Sequence, residues 1–411
     1  RVKLEYVPGA YAQKLQLQLI SNTAADIILM DDESYPGYAE RGYLEDLSPL
    51  MERDKAELRQ DFLPTALDSF TYKGVLAGMP WDGFPVMMFY SKSLFDEAGI
   101  PYPAEDWTWN DFREISKKLT KDTDGDGAND QFGSVVEFGF LGVEPVIWSF
   151  GGAILNEDRT AAACNTPQVY EAARFLQAMK FEDQSTVWSS NVEGMGKEVQ
   201  LLTGRVGMVW SGWFLAMTLK EVKDALKWGV CQMPVGPTGE RYTRVSWDGI
   251  CINKYTTPDK KEIAWRFIKY LLSEESQALV ASSGKALPVY RHYAIKHFAE
   301  KPDPELPWLD KSLPIKALDF GRLTPITTKY DELKSAFQDN FKKLEIEDPS
   351  RRLTPEEVLP AAEKDVNYVL AKELEAFGQN KKNPREVSRI PYLVVGYGFL
   401  ISVSILIIHL I

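Results

Sequence analysis

Two Trp-Asp pairs, Trp81-Asp82 and Trp247-Asp248, combine the groups that a polyhydroxylated ligand requires. An indole face packs on apolar C–H surface, and the neighbouring carboxylate accepts hydrogen bonds from hydroxyls in bidentate reach. Further residues of the same kinds follow other apolar runs: Asp31, Asp32 and Glu33 after AADIILM, Trp210 and Trp213 around Ser211-Gly212, and Tyr330 in PITTKYDEL. Buried carboxylates without partners are costly, so ligand hydroxyls, a cation or ordered water would have to complete these acids. Core packing is the alternative role for each indole, and a chain with 11 Trp must bury several.

A second acidic pattern is DTDGDGANDQFG. Asp122, Asp124, Asp126 and Asp130 stand at positions 1, 3, 5 and 9 of an EF-hand-type loop, with Gly127 at the sharp turn and Ala128 offering its carbonyl. Position 12 is Gly133 instead of a bidentate Glu, although Glu137 lies a little further on. The loop therefore reads as a weak structural Ca²⁺ site or as an acidic surface loop, and not as a sensor. No other cofactor is expected.

The elements that must position these residues alternate between strand and helix. VKLEYV, AQKLQLQLISN and AADIILM read as strand, helix and strand, with Asp31 to Ser34 at the exit of the last. In Val75 to Gly99, Gly and Pro punctuate a turn holding Trp81 and Asp82; Val86 to Tyr90 then reads as a buried strand and Leu94 to Ala98 as a helix start. Both acidic groups thus fall at strand mouths, where open α/β sheets keep their ligand crevices. Tyr72-Lys73-Gly74 reads as a hairpin turn. WTWNDFREISKKLT is an amphipathic helix capped by Thr108 or Asn110, and TPQVYEAARFLQAM a helix with Pro167 in its first turn. Residues 201–214 give a turn, a strand GMVW and a new helix; WGVCQMPVGP is a strand. Ser246 to Gly249 precede the strand ICINK, and DKKEIAWRFIKYLLSEESQALVASSG reads as one helix closed by Gly284. EEVLPAAEKDVNYVLAKELEAF is the last helix before a polar, basic linker.

The chain has 411 residues, too many for one core, so two lobes are expected. A net charge of -12 argues against nucleic acid as a partner. Cys164, Cys231 and Cys251 have neither zinc-ligand spacing nor an even count, and the 3 His form no hydrolase constellation. Ile390 to Ile411 carries no Asp, Glu, Lys or Arg. At about 1.5 Å per residue it spans roughly 33 Å, the reading of a transmembrane helix. Both chain ends read as truncated.

Taken in order, AADIILMDD, YKGVLAGMPWDGFPVMMFYSKSLFDEAGI, the WTWNDF helix with its DTDGDG loop, GRVGMVWSGWF, SWDGICINK, AWRFIKYLLSEESQ and GKALPV resemble the extracellular solute-binding proteins of bacterial ABC importers, in the sugar and oligosaccharide branch. The resemblance spans most of residues 1–340. It implies a two-lobed α/β fold of the periplasmic-binding-protein type (type II), crossed by the chain more than once at a hinge; the C-terminal transmembrane helix read from Ile390–Ile411 is a departure from that family. The lobes would be 1–84 with 249–300 and 85–248 with 301–378, followed by a basic linker, 379–389, and the span, 390–411. The cleft would hold Asp31, Asp32, Glu33, Trp81, Asp82, Trp210, Trp213, Trp247, Asp248 and Tyr330, with Trp213 stacked on a sugar so that its truncation weakens binding but spares stability. The partners would be a sugar or other small solute and ABC permease subunits, outside the cytoplasm and joined to the membrane through Ile390–Ile411. A membrane-bound carbohydrate sensor and a carbohydrate-active enzyme are the alternatives, but no catalytic pair emerges from the sequence.

Overall fold

The computed structural model describes residues 3, 5, 11–136, 140–188, 191–192, 195–222, 226–325 and 327–382. Most of VKLEYV and the whole of Ile390–Ile411 lie outside these residues, and so does Glu137. Among the described residues no helix is long and apolar enough to cross a membrane.

Apolar runs separated by helices build one mixed sheet. Its strands are β1 (Ile27–Asp31), β2 (Met79–Ser91), β3 (Phe132–Val136), β4 (Thr186–Trp188), β5 (Val206–Gly212), β6 (Trp228–Cys231) and β7 (Thr243–Ile252), with short β8 (Leu287–Pro288) and β9 (Gly321–Arg322). The order is β1-β7-β2-β5-β3-β4; β6 and β8 also pair with β2, and β9 with β7. Two lobes arise because β2 changes partners along its length. Met79 to Pro85 pair antiparallel with β7, whereas Val86 to Tyr90 pair with β5.

Each half has its own helical cover. Helices α1 (Tyr11–Ile20), α5 (Pro258–Leu271) and α6 (Glu274–Ser283) enclose a core containing Ile28, Met30, Phe70, Trp247 and Trp265. Helices α2 (Trp109–Leu119), α3 (Phe140–Ser149), α4 (Pro167–Phe181), α7 (Tyr330–Phe341) and α8 (Pro355–Lys382) bury Phe112, Val143, Leu176, Trp210, Phe337 and Leu359. Local signals match the elements they start. Thr108 and Asp111 form a reciprocal capping box on α2, a device worth about 1 kcal/mol, with Trp109, Phe112 and Leu119 buried. Lys73 and Gly74, both at positive φ, turn the hairpin Thr71–Tyr72/Val75–Leu76.

Three expectations change. Trp81-Asp82 and Trp247-Asp248 do not precede strands; they lie inside β2 and β7. The prolines that suggested a turn sit at ladder irregularities, where a missing N–H is tolerated: Pro80 beside the register shift at Asp248/Gly249, Pro85 at the change of partner. The expected single helix over 259–284 is two, because Ser273 accepts a hydrogen bond from Ser276 N and caps a new start. Gly284, at φ 69°, closes the second as expected.

Candidate ligand-binding cleft

The register of three neighbouring strands aligns three aspartates. Asp31 on β1 faces Asp248 on β7, and Asp248 faces Asp82 on β2. Directly opposed residues share a face with Cβ atoms roughly 5 Å apart, so the carboxyls form a row across the strands that join the lobes. Gly83 makes the close packing behind the row feasible: a Cβ there would lie 2.3 Å from the Trp247 ring. Trp81 is skipped by the pairing, since Asp82 opposes Asp248 and Pro80 opposes Gly249. It is the bulge residue, half-buried, with an Nε1 that has no partner.

The ends of the row differ. Asp31 is exposed and accepts hydrogen bonds from the amides of Glu33 (3.1 Å) and Ser34 (2.7 Å). Asp82 and Asp248 are half-buried and hydrogen-bonded to each other. Burial lifts the Asp82 carboxyl to about 7. Burial, followed by the charges of Asp82, Asp31 and Asp32, holds Asp248 well above the carboxylate range, and the shared bond raises it further. The pair therefore holds one proton between the two carboxyls.

Asp32, beside the row, donates its backbone N–H to Trp247 O at 3.0 Å. Its side chain is 2 % exposed, Oδ1 has no partner, and burial raises its pKa to about 7 against the pull of Arg244. Arg244, four residues before Asp248 on β7, is also buried and bridges the lobes. It pairs with Glu33 next to β1 and lies 3.7 Å from Glu144 on α3. Its Nε donates to Thr324 Oγ1 at 2.6 Å, and that hydroxyl donates to Glu144 Oε2 at 2.7 Å. Glu144 is fully buried; its Oε1 has no partner and burial keeps its pKa well above the usual range. The Tyr330 hydroxyl on α7 is buried without a partner near Arg244, Glu144 and Asp32, and burial lowers the half-buried Lys334 ammonium one turn on.

The structure thus brings together Asp31, Asp32, Glu33, Asp82, Asp248 and Tyr330. Trp210, Trp213 and Trp247 are instead core residues, 2 %, 0 % and 1 % exposed, with their Nε1 atoms donating to Gly142 O, Gly284 O and Thr65 Oγ1. Such burial marks Trp213 as a stabilising core residue, which reverses the expectation that its truncation would spare stability. The half-buried aromatic pair at the crossing is instead Phe84 and Phe214, with ring centroids 5.0 Å apart and planes at 88°. Sequence reasoning missed this pair, Arg244 and Glu144. A usable signal existed for Glu144, a lone charge within the apolar run LGVEPVIW.

The Asp-rich loop lies apart, between α2 and β3. Asp122, Asp124 and Asp130 each place a carboxylate oxygen within 4.8 Å of the others, which fits a small hard cation. Asp126 is not in that group; its Oδ1 accepts from Ala128 N at 2.8 Å. Gly133 at position 12 is buried in β3 and supplies no carboxylate. Two cavities of about 530 and 360 Å³ also lie away from the row, one at Arg241 and Phe320 and the other at Lys220 and His297.

The sequence profile of a family described as bacterial extracellular solute-binding protein matches residues 1–278. A binding protein of Brucella abortus (strain 2308) is 30% identical over 307 residues, 71% of this chain and 69% of that protein. The diacetylchitobiose binding protein of Streptomyces coelicolor is 25% identical over 295 residues, 67% of this chain and 63% of that protein. Among solved structures, an ABC substrate-binding protein of Listeria monocytogenes in complex with cycloalternan superposes with a TM-score of 0.74 at 27% identity, covering 88% of this chain and 89% of that one.

Proposed function

We propose, from the premise that this chain belongs to the bacterial extracellular solute-binding protein family, that it captures a sugar or oligosaccharide between its lobes outside the cytoplasm and delivers it to an ABC import permease. The observation that carries this reading is the row Asp31–Asp248–Asp82 at the lobe crossing, beside buried oxygens of Asp32, Glu144 and Tyr330 that lack partners. Such groups complete their hydrogen bonds with the hydroxyls of a closely fitted solute, and Phe84 and Phe214 offer apolar edges to its C–H faces. The diacetylchitobiose and cycloalternan in the names of similar proteins support a carbohydrate over other solutes.

The ligand-contacting set is Asp31, Asp32, Glu33, Trp81, Asp82, Asp248 and Tyr330, with Trp210, Trp213 and Trp247 as the wall that holds them. The lobes divide as 1–84 with 249–300 and 85–248 with 301–378. Lobe closure around the hinge strands is the working motion, because a ligand favours the closed form only through contacts made there. Covalent chemistry has no place in it. A retaining glycosidase holds its two carboxyls about 5 Å apart, whereas the Asp82 and Asp248 carboxyls are hydrogen-bonded to each other. Residues 379–389 and the apolar stretch Ile390–Ile411 would tether the binding lobes beside the permease, raising their effective concentration there. The Asp122–Asp124–Asp130 cluster is a secondary, weak Ca²⁺ position with a structural role.

A thermal-shift screen of the chain against mono- and oligosaccharides tests the reading. A sugar present at about 100 times its dissociation constant adds roughly 2.7 kcal/mol. A shift with one sugar class and no product on incubation is the expected outcome. Silence across the panel, or turnover of any member, overturns it.

A further inference from the structure

Resting on that reading, we propose that the captured sugar carries a protonated amine and that the Asp31–Asp248–Asp82 row receives it. Acidic groups outnumber basic ones at the crossing. Six carboxyl groups (Asp31, Asp32, Glu33, Asp82, Asp248 and Glu144) outnumber the cations near them, which are buried Arg244, half-buried Lys334 and exposed Arg159, whose charge reaches Tyr35 beside Asp32. Arg244 is engaged with Glu33, Glu144 and Thr324, and with neither Asp82 nor Asp248. Among the described residues no cation pairs with Asp82 or Asp248. Their mutual hydrogen bond requires a proton, which is how like charges coexist when nothing else neutralises them.

A second observation points to a missing donor. Asp32 Oδ1 and Glu144 Oε1 are both more than nine-tenths buried and have no partner, and the Asp32 backbone is anchored at Trp247, next to Asp248. A neutral sugar would supply hydroxyl donors but no charge, so the row would stay dependent on its proton. An ammonium supplies three donors and the compensating charge together. When it seats against the row, the proton shared by Asp82 and Asp248 leaves to solvent and the pair becomes doubly ionised. Binding of the protonated amine therefore releases a proton, and affinity rises with pH as the pair ionises, until the amine itself deprotonates. The groups facing the pair that modulate this are Asp31 and Asp32 at the end of β1 and, more distantly, Arg244, Glu144, Tyr330 and Lys334.

The test offers each skeleton of the sugar panel in three forms that differ at C2: hydroxyl, N-acetyl and free amine. Spermidine serves as an amine without a sugar. Calorimetry on the full chain at pH 7.5, in two buffers of different ionisation enthalpy, reads both affinity and proton release. We expect the amine form of at least one skeleton to bind about tenfold to hundredfold tighter than its two counterparts, the scale of a charge-assisted hydrogen bond, with a proton released. The preference should vanish in Asp82→Asn/Asp248→Asn, a variant that keeps shape and relieves crowding of charge. Hydroxyl or N-acetyl forms binding as tightly as the amine on every skeleton that binds would overturn the amine and leave sugar capture standing. Silence of every amino sugar would also overturn it. Spermidine binding alone would overturn both.

Discussion

Two acidic clusters in this chain have nearly the same composition and opposite physics. The loop at Asp122–Asp130 is largely exposed and uses its carboxylates on itself: Asp122 accepts from Gly125 and Gly127 amides, Asp124 from Asp126, and Asp130 from both the amide and the hydroxyl of Thr123. The Thr123 hydroxyl and amide bonds hold the Asp130 carboxyl below its usual range. In the cleft only Asp31, at the exposed end of the row, is satisfied in that way; Asp32, Asp82 and Asp248 are buried or half-buried and crowded, Asp32 Oδ1 has no partner, and the pKa values of these three move up. Charge density alone therefore does not define a site. What separates the clusters is whether the backbone or a guest must complete the hydrogen bonds.

The largest test of this contrast removes the cation that makes the cleft tolerable. Arg244→Met should cost about 3–5 kcal/mol at pH 7.5, because half-buried Glu33 and fully buried Glu144 lose their cationic partner, and should be partly rescued at pH 5 as carboxyls protonate. Urea denaturation at the two pH values measures it. A loss below 1 kcal/mol would mean that water reaches the cleft as freely as the loop.

Asp32 gives a smaller effect of opposite sign. Its folded pKa of about 7 lies above the ordinary value of 3.8, so protonation favours the folded chain. The stability it contributes is complete below pH 4 and is lost as pH rises through 7. Asp32→Asn escapes that loss. The variant should match the parent near pH 4 and exceed it by about 1–3 kcal/mol at pH 7.5, given roughly 1.4 kcal/mol per pKa unit before discounting for relaxation. The same exchange at exposed Asp126 should change stability by less than about 0.5 kcal/mol at either pH. Equal pH profiles for the two variants would erase the distinction between the clusters.

How much of this was legible in the sequence depended on the range of the interaction. The acids at Asp31–Glu33 were readable because a polar cluster ends an apolar strand, and α2 because its cap and its apolar face are both local. The alignment of Asp31 with Asp248 and Asp82 was not, since it depends on register between strands more than 160 residues apart in the chain. Gly and Pro around Trp81 suggested a turn; their actual role, filling ladder irregularities in one long strand, exists only once β5 and β7 are in place. Arg244 sits in TRVSWDG with no local sign of its position between two lobes. Indole-rich GMVWSGWF announced aromatic chemistry, but its tryptophans face the cores and the half-buried ring is Phe214.

The smallest expected effect concerns the loop. With three carboxylates in reach of one point and no bidentate Glu, Ca²⁺ should bind at the weak end of the EF-hand range, near 10⁻⁴–10⁻³ M. At 1 mM Ca²⁺ that affinity stabilises the chain by only about 0.4–1.4 kcal/mol. Thermal denaturation with 1 mM Ca²⁺ against excess chelator should therefore differ by a degree or two, and Asp122→Asn should abolish the difference. A chelator-insensitive midpoint would show that backbone amides already satisfy the loop, making it the fully self-contained member of the pair. A shift several times larger would mean that the loop, like the cleft, is built around a guest, and the contrast between the clusters would reduce to one of exposure.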